Sequence, residues 1–213
     1  MGERSSADDK DAMASRFSLL LAVAAFAALA LVPTAVAAGV QGQQAVSQPE
    51  RAVQAAAAPL APASVCPGQT GIDAATAVQE ETMRCMTDYA RQFLGLPALA
   101  DAEELDISAQ GKSGDILRCD SFSHYACGRE FTYWIEASGY LSAQCWRAGE
   151  NLAWGIGTGG TVRSIFRAWM RSTAHRQNIL GNFSQIGISL QVGELAGQGG
   201  THVWTQHFGS RCG

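Results

Sequence analysis

Six cysteines and four histidines are the side chains of this 213-residue chain best suited to ligating a metal, forming bridges or moving protons. The cysteines are Cys66, Cys85, Cys119, Cys127, Cys145 and Cys212. None follows the C-x-x-C interval typical of structural zinc sites, and their number is even, as bridging requires. Proximity along the chain favours Cys66 with Cys85 and Cys119 with Cys127, leaving Cys145 with Cys212, although sequence does not fix the pairing. His202 and His207 stand five apart in an extended run. On a regular strand they point to opposite faces, so at most one can face a cleft. Asn182-Phe183-Ser184 satisfies the N-x-S acceptor pattern, which matters only in a glycosylating host.

Whether cysteines bridge depends on the compartment, and the first residues speak to that. Phe17 to Val32 is an unbroken apolar and small-residue run, preceded by Arg16 and followed by Pro33, Thr34 and Ala35-Val36-Ala37. A basic flank, a short apolar stretch and a small-x-small site read as a secretory signal over residues 1–37. A membrane anchor needs about 20 apolar residues, which this run reaches only by counting Pro33 and Thr34. Residues 2–12 are polar and acidic, so Met13 makes the more compact start. Residues 38–65, rich in Ala, Gln and Pro and without an aromatic side chain, read as a disordered linker. Export favours disulfides over thiolate ligands. The net charge of −4 shrinks only slightly when the signal is removed. It points to neither nucleic acid nor an anionic membrane as partner, and no stable membrane span is expected after cleavage.

From Cys66 onward the chain is long enough for one domain, residues 66–213. Val78, Thr82, Cys85, Met86, Tyr89 and Phe93 recur at helical steps, predicting an amphipathic helix over 73–93 that ends at Gly95 and Pro97. A second helix is expected over 102–117, with Leu105, Ala109 and Ile116 inward and Gly111 and Gly114 as weak points. A third starts near Thr161, an N-cap after the Gly155 to Gly160 stretch, carries Val162, Ile165, Phe166, Trp169 and Met170 on one side, and ends before His175. The period then shortens: Ile186, Ile188, Leu190 and Val192 alternate with polar or small residues. A turn at Gly197 to Gly200 leads to a second extended run, Val203 to Phe208. Helices first and strands mainly later indicate an α+β domain with a helix-covered sheet.

Five strings share an order and spacing: Phe122-Ser123-His124, Gly149 to Gly155 (GENLAWG), Trp169-Met170, His175 to Leu180 (HRQNIL) and Trp204 to Gly209 (WTQHFG). Together they resemble the bacterial branch of the CAP superfamily, the SCP-like group of cysteine-rich secretory proteins, antigen 5 and pathogenesis-related 1 proteins. Arg91, Gly95-Leu96, Leu99 and Gly187 are weaker matches. The resemblance implies an α-β-α sandwich, a small mostly antiparallel sheet with helices on both faces.

It also implies an open cleft holding two histidines and acidic residues, carried here by His124, Glu150 and His175. Ser172 stands where many eukaryotic relatives have a second glutamate, so the full acidic set is absent. Two imidazoles and a carboxylate are a donor set for zinc or another divalent cation, with His124 and His175 as the metal-binding nitrogens. The competing reading has both histidines capping helices and bonding to Glu150 without any ligand. Ser172, His175 and Glu150 are also the residue types of acyl transfer, but residues three apart on a helix seldom present that geometry. Asn151 and Arg176 read as satisfying buried backbone groups. Trp134, Tyr140, Trp146, Trp154, Trp169 and Trp204 could line a groove, yet core packing is the expected role for most.

These expectations give a secreted or extracellular binding module, a monomer, with lipid, sterol or a cell-envelope component as ligand. A metal-assisted extracellular hydrolase using the same cleft is the rival, and an envelope interaction role for a tethered domain is the third reading. Which chemistry operates does not follow from the scaffold, because one scaffold serves many activities.

Overall fold

The computed structural model describes residues 60–143 and 145–211. The expected signal peptide and the linker up to residue 59 lie outside the described residues. The elements in order are α1 (Thr76–Phe93), β1 (Ala100–Asp101), α2 (Glu103–Arg118), α3 (Tyr133–Ala137), β2 (Trp146–Ile156), α4 (Val162–Arg171), α5 (Thr173–Ile179), β3 (Gln185–Leu195) and β4 (Gln198–Arg211). The sheet order is β1-β3-β4-β2; β1 runs parallel to β3, and the β3–β4 and β4–β2 pairs are antiparallel.

Alternation along the strands divides the interior in two. On one face Ile186, Ile188, Leu190, Trp204 and Phe208 pack with Met83, Met86 and Ala90 of α1, with the apolar side of α4 and with Ile179 of α5. On the other, Leu152, Val203 and Leu195 meet Ile116 of α2, while Leu105 packs with Ile135 of α3 and Tyr140. Helices thus cover both faces, the α-β-α sandwich of an α+β domain.

Two helices match the sequence pattern. In α2, Leu105, Ala109 and Ile116 are fully buried; Gly111 is there because any Cβ would run into the Trp134 ring of α3. In α4, Thr161 caps the start by accepting from the Ser164 N–H, and all five expected apolar residues are buried. That helix stops at Arg171, so His175 belongs to a separate short helix.

For α1 the expected stripe needs correcting. Thr82 and Met86 are buried, but Val78 and Phe93 are 55% and 56% exposed. The inward positions are Gln79, Thr82, Met83, Met86, Thr87, Ala90 and Arg91. Polar residues fill several of them because each finds a partner inside: Arg91 donates to the carbonyls of Pro97, Ile179 and Gly181. A hydropathy pattern cannot see such positions, since the hydrogen bonds that make burial tolerable are long-range.

β2 is the strand the alternation does not announce, because Glu150, Asn151 and Leu152 are buried on both faces at its centre. Both sheet edges are closed by side chains. Beyond its short pairing with β1, β3 donates Ile188 N–H to Asp106 (2.8 Å) and Leu190 N–H to Glu80 (2.7 Å). On β2, the Glu150 carbonyl accepts from Asn178 (3.1 Å) and the Leu152 carbonyl from the Trp169 indole (3.0 Å). Unpaired strand edges invite association, and these contacts satisfy them. The β3–β4 turn sits at Ala196 and Gly197, both at positive φ (51° and 73°), the geometry of a tight hairpin.

The folded part begins earlier than expected: Ala61 is fully buried, and its carbonyl accepts from Gln69 and Arg163. Cys66–Cys85 and Cys119–Cys127 are bridged as proximity suggests. Cys145 is also disulfide-bonded, and Cys212, its expected partner, lies outside the described residues.

Candidate functional site

The strand register builds the site. Glu150 on β2 pairs with His207 on β4, so both side chains fall on the face covered by α2. The Glu150 side chain is 2% exposed, yet it carries a carboxylate, and three elements converge to satisfy it. His124 Nδ1 lies 2.5 Å from Oε1, His207 Nε2 lies 2.8 Å from Oε2, and Lys112 Nζ lies 3.9 Å from Oε2. Burial alone would raise the Glu150 pKa, but the hydrogen bonds from His124 and His207 and the charges of His207 and Lys112 outweigh it and hold the carboxyl below its ordinary range.

An ionised carboxylate only accepts, which assigns the protons around it. Neutral His124 carries its proton on Nδ1, leaving the Nε2 lone pair on the far side of the ring. His207 donates from Nε2, and its Nδ1 lies 2.6 Å from the Ser108 hydroxyl, which is also 2.9 Å from the Leu105 carbonyl. His207 is sealed in the interior, whereas the His124 side chain is 53% exposed. Lys112 is buried and donates to the His124 carbonyl, so His124 is held at ring and backbone alike. Desolvation lowers the Lys112 pKa, opposed by the neighbouring carboxylates of Glu150, Asp115 and Glu130.

His124 rides on the segment between α2 and α3. Its base is fixed by Asp115, a fully buried carboxylate that accepts from both Arg129 contacts at 2.8 Å, from the Trp134 indole at 2.7 Å and from Arg118. His175 comes from α5, beside the β2 edge. Its carbonyl accepts from Asn151, and Asn151 in turn accepts from Asn178, so α5 is tied to the strand here. The His175 ring is half-buried; desolvation first, then the nearby charge of His124, lowers its pKa. At neutral pH it is an uncharged imidazole.

The expected residues are therefore arranged unequally. His124 and Glu150 are bonded; His175 stands within electrostatic reach of His124 but not bonded to Glu150. Ser172 is the N-cap residue of α5 and makes no side-chain cap. An acyl-transfer triad would require Glu150 to orient His175, and both oxygens of Glu150 are taken elsewhere. The zinc set of two imidazoles and one carboxylate is incomplete for the same reason: among the described residues, no three His, Cys, Asp or Glu side chains converge as metal ligands. Asn151 and Arg176 hold backbone and neighbouring side chains, Arg176 by donating to the Met170 carbonyl at 2.9 Å.

Three contributors went unassigned in the sequence: His207, Lys112 and Ser108. Lys112 does leave a trace, since it falls on the apolar stripe between Ala109 and Ile116. His207 could be placed only once the β2–β4 register was known. His202 faces away, its Nδ1 lying 3.2 Å from the Gly200 carbonyl. Of the aromatic residues, Trp169, Trp204 and Tyr140 are core, and Trp134 packs over Gly111; Trp154 and Trp146 are exposed. Trp154 meets Phe122 edge to face at 6.5 Å, two residues from His124.

Comparison with known proteins bears on the family and the fold. Residues 86–208 match the model of the cysteine-rich secretory protein family, CAP. The uncharacterized protein YkwD of Bacillus subtilis is 31% identical over 141 residues, 65% of this chain and 50% of that protein. The chain thus spans about half the length of this curated relative. Among solved structures, an outer surface protein of Borrelia burgdorferi superposes with a TM-score of 0.51 at 19% identity, covering 62% of this chain and 92% of that one. An extracellular protein containing an SCP domain from Bacillus anthracis gives 0.50 at 23%, covering 72% and 45%. At these identities the two structures speak to the fold. With more than half of its length matched by the family model, the chain belongs to the cysteine-rich secretory protein family.

Proposed function

We propose that this domain works outside the cell as a binding module and that its cleft, formed by His124 and His175 over Glu150, receives ligand without hydrolysing it. One observation carries the reading: Glu150 is buried and both its oxygens are committed to histidines. A general base must reach the proton it abstracts, and a carboxylate closed off in this way orients an imidazole instead. Two imidazoles then remain at the surface, which gives a divalent cation such as zinc at most two protein ligands and modest affinity.

Export is supported by the basic-apolar-small pattern of residues 1–37, by the disulfides, and by the extracellular SCP-domain protein among the structural neighbours. Material of the cell envelope, lipid or sterol included, is the proposed ligand class, supported by the exposed Phe122–Trp154 pair beside His124. The test is a hydrolysis screen of the purified protein on ester and peptide substrates, with and without added zinc. The reading expects no turnover above that of a His124→Ala/His175→Ala variant. Zinc-dependent turnover lost in Glu150→Gln would establish the hydrolase in its place.

A further inference from the structure

The two bridges defined at both ends differ in their more accessible sulfur, half-buried Cys85 in one and exposed Cys119 in the other. Cys66 is sealed in the core beside Met83 and Met86. Cys119 is exposed and Cys127 half-buried, and their bridge closes the eight-residue separation within which His124 lies. We infer that Cys119–Cys127 is a redox latch on the cleft: closed, it keeps His124 in register with Glu150, and its reduction by a dithiol protein or small thiol lets His124 go. The inference rests on the cleft being the binding site.

The path of the segment depends on closure. Asp120, just after one cysteine, and Cys127 itself adopt left-handed backbone conformations (φ 46° and 56°), which are unfavourable for residues other than glycine. Such conformations persist when the surroundings impose them. Apart from the bridge, residues 120–126 are held to the rest of the domain by the Ser121 N–H bond to the Ile116 carbonyl, the buried Ala126, the Lys112 bond to the His124 carbonyl, the His124–Glu150 bond, the Phe122–Trp154 contact and the Asp120 bond to the Ala196 N–H. Ser121 and Ala126 anchor the ends of the segment, and between them His124 is positioned by the bridge together with its own bonds to Lys112 and Glu150.

The chemistry also has a direction. The Cys127 sulfur lies 3.4 Å from Arg118 Nη2, and Arg118 is fixed there by its pair with Asp115. A guanidinium beside a sulfur favours the thiolate, making Cys127 the better leaving group and exposed Cys119 the point of attack. A reductant thiolate attacks the Cys119 sulfur; the S–S bond breaks and Cys127 departs as a thiolate. The second thiolate of the reductant then attacks the mixed disulfide, returning Cys119 as a thiolate. The reductant leaves as a disulfide, having given up two electrons, and the cysteines take up protons from water. In the other bridge Cys66 is closed to attack by burial and Cys85 is half-buried, against the exposed Cys119 here.

The test titrates the full chain with dithiothreitol under native conditions, traps thiols by alkylation for mass mapping, and follows the His124 imidazole by nitrogen–proton NMR correlation. Cys119 and Cys127 should be alkylated while Cys66 and Cys85 remain paired, with loss of the Glu150-bonded Nδ1–H signal of His124 and its return on reoxidation. Cys119→Ser/Cys127→Ser should reproduce that loss without reductant while its circular dichroism stays that of the folded domain; should it fail to fold, the wild-type titration decides. An unchanged His124 signal after opening, or release of Cys66–Cys85 no later than Cys119–Cys127, overturns the latch. Ligand binding that survives removal of both cleft imidazoles would instead sink the cleft reading and leave the NMR result untouched.

Discussion

At the scale of single residues, Glu150 organises the site by being satisfied rather than by being reactive. Glu150→Ala would leave His207 and Lys112 facing each other in the interior without their shared acceptor. Breaking a buried ionic network from one side costs about 3 kcal/mol, so urea unfolding of this variant should show a loss of that order. Because the folded Glu150 pKa lies below the ordinary 4.5, its contribution is present above that pH and is lost as pH falls through the folded value. His175 has the same sign for a different reason. Its folded pKa lies below the ordinary 6.5, so protonation as pH falls through 6.5 favours the unfolded chain, and stability declines across that interval. Ring-proton NMR should show His175 titrating below 6.5; a midpoint above it would mean the ring is better solvated or paired than the geometry allows.

At the scale of elements, the close approach of α2 to β3 and the capped sheet edges make separate predictions. A Cβ at Gly187 would strike the α2 backbone at Leu105 and Asp106, which cannot give way as a side-chain tip can. Gly187→Ala should therefore cost about 3 kcal/mol, at the upper end for overpacking, read as a lowered thermal midpoint. Glu80 and Asp106, which accept the edge N–H groups of β3, have pKa values raised chiefly by desolvation. Their contribution is full below their ordinary pKa values and lost as pH rises through the raised ones. Neutralising both should therefore flatten the pH dependence of stability on the mildly acidic side, measured by urea melts at stepped pH. What the sequence revealed at this scale follows the same physics. The apolar stripes of α2 and α4 and the Thr161 cap were legible because their causes are local. The inward face of α1 was misread because Gln79 and Arg91 are buried by partners far along the chain, and β2 escaped because a strand buried on both faces does not alternate. His124 and Glu150 could be matched to a family motif, but His207 and Lys112 became part of the site only through register and packing.

At the scale of the whole molecule, two helical layers and one sheet bring segments from three parts of the chain to one carboxylate, with a fourth, carrying His175, near His124. His124 approaches from the α2 side, His175 from the β2 edge, His207 from the central strand and Lys112 from beneath. A domain so arranged places the His124 imidazole at its surface and keeps the Glu150 acid inside, the arrangement on which the proposed binding role rests. The most direct test of that division is long-range nitrogen–proton correlation of the histidine rings in the intact protein at about pH 8, where free imidazole is neutral. The structure predicts His124 as the Nδ1–H form with a lone pair on Nε2, and a proton on Nε2 of His207, each coupled to Glu150. His124 protonated on Nε2, or averaging between both forms, would mean that Glu150 is not engaged by it and is free to act, contradicting the central claim.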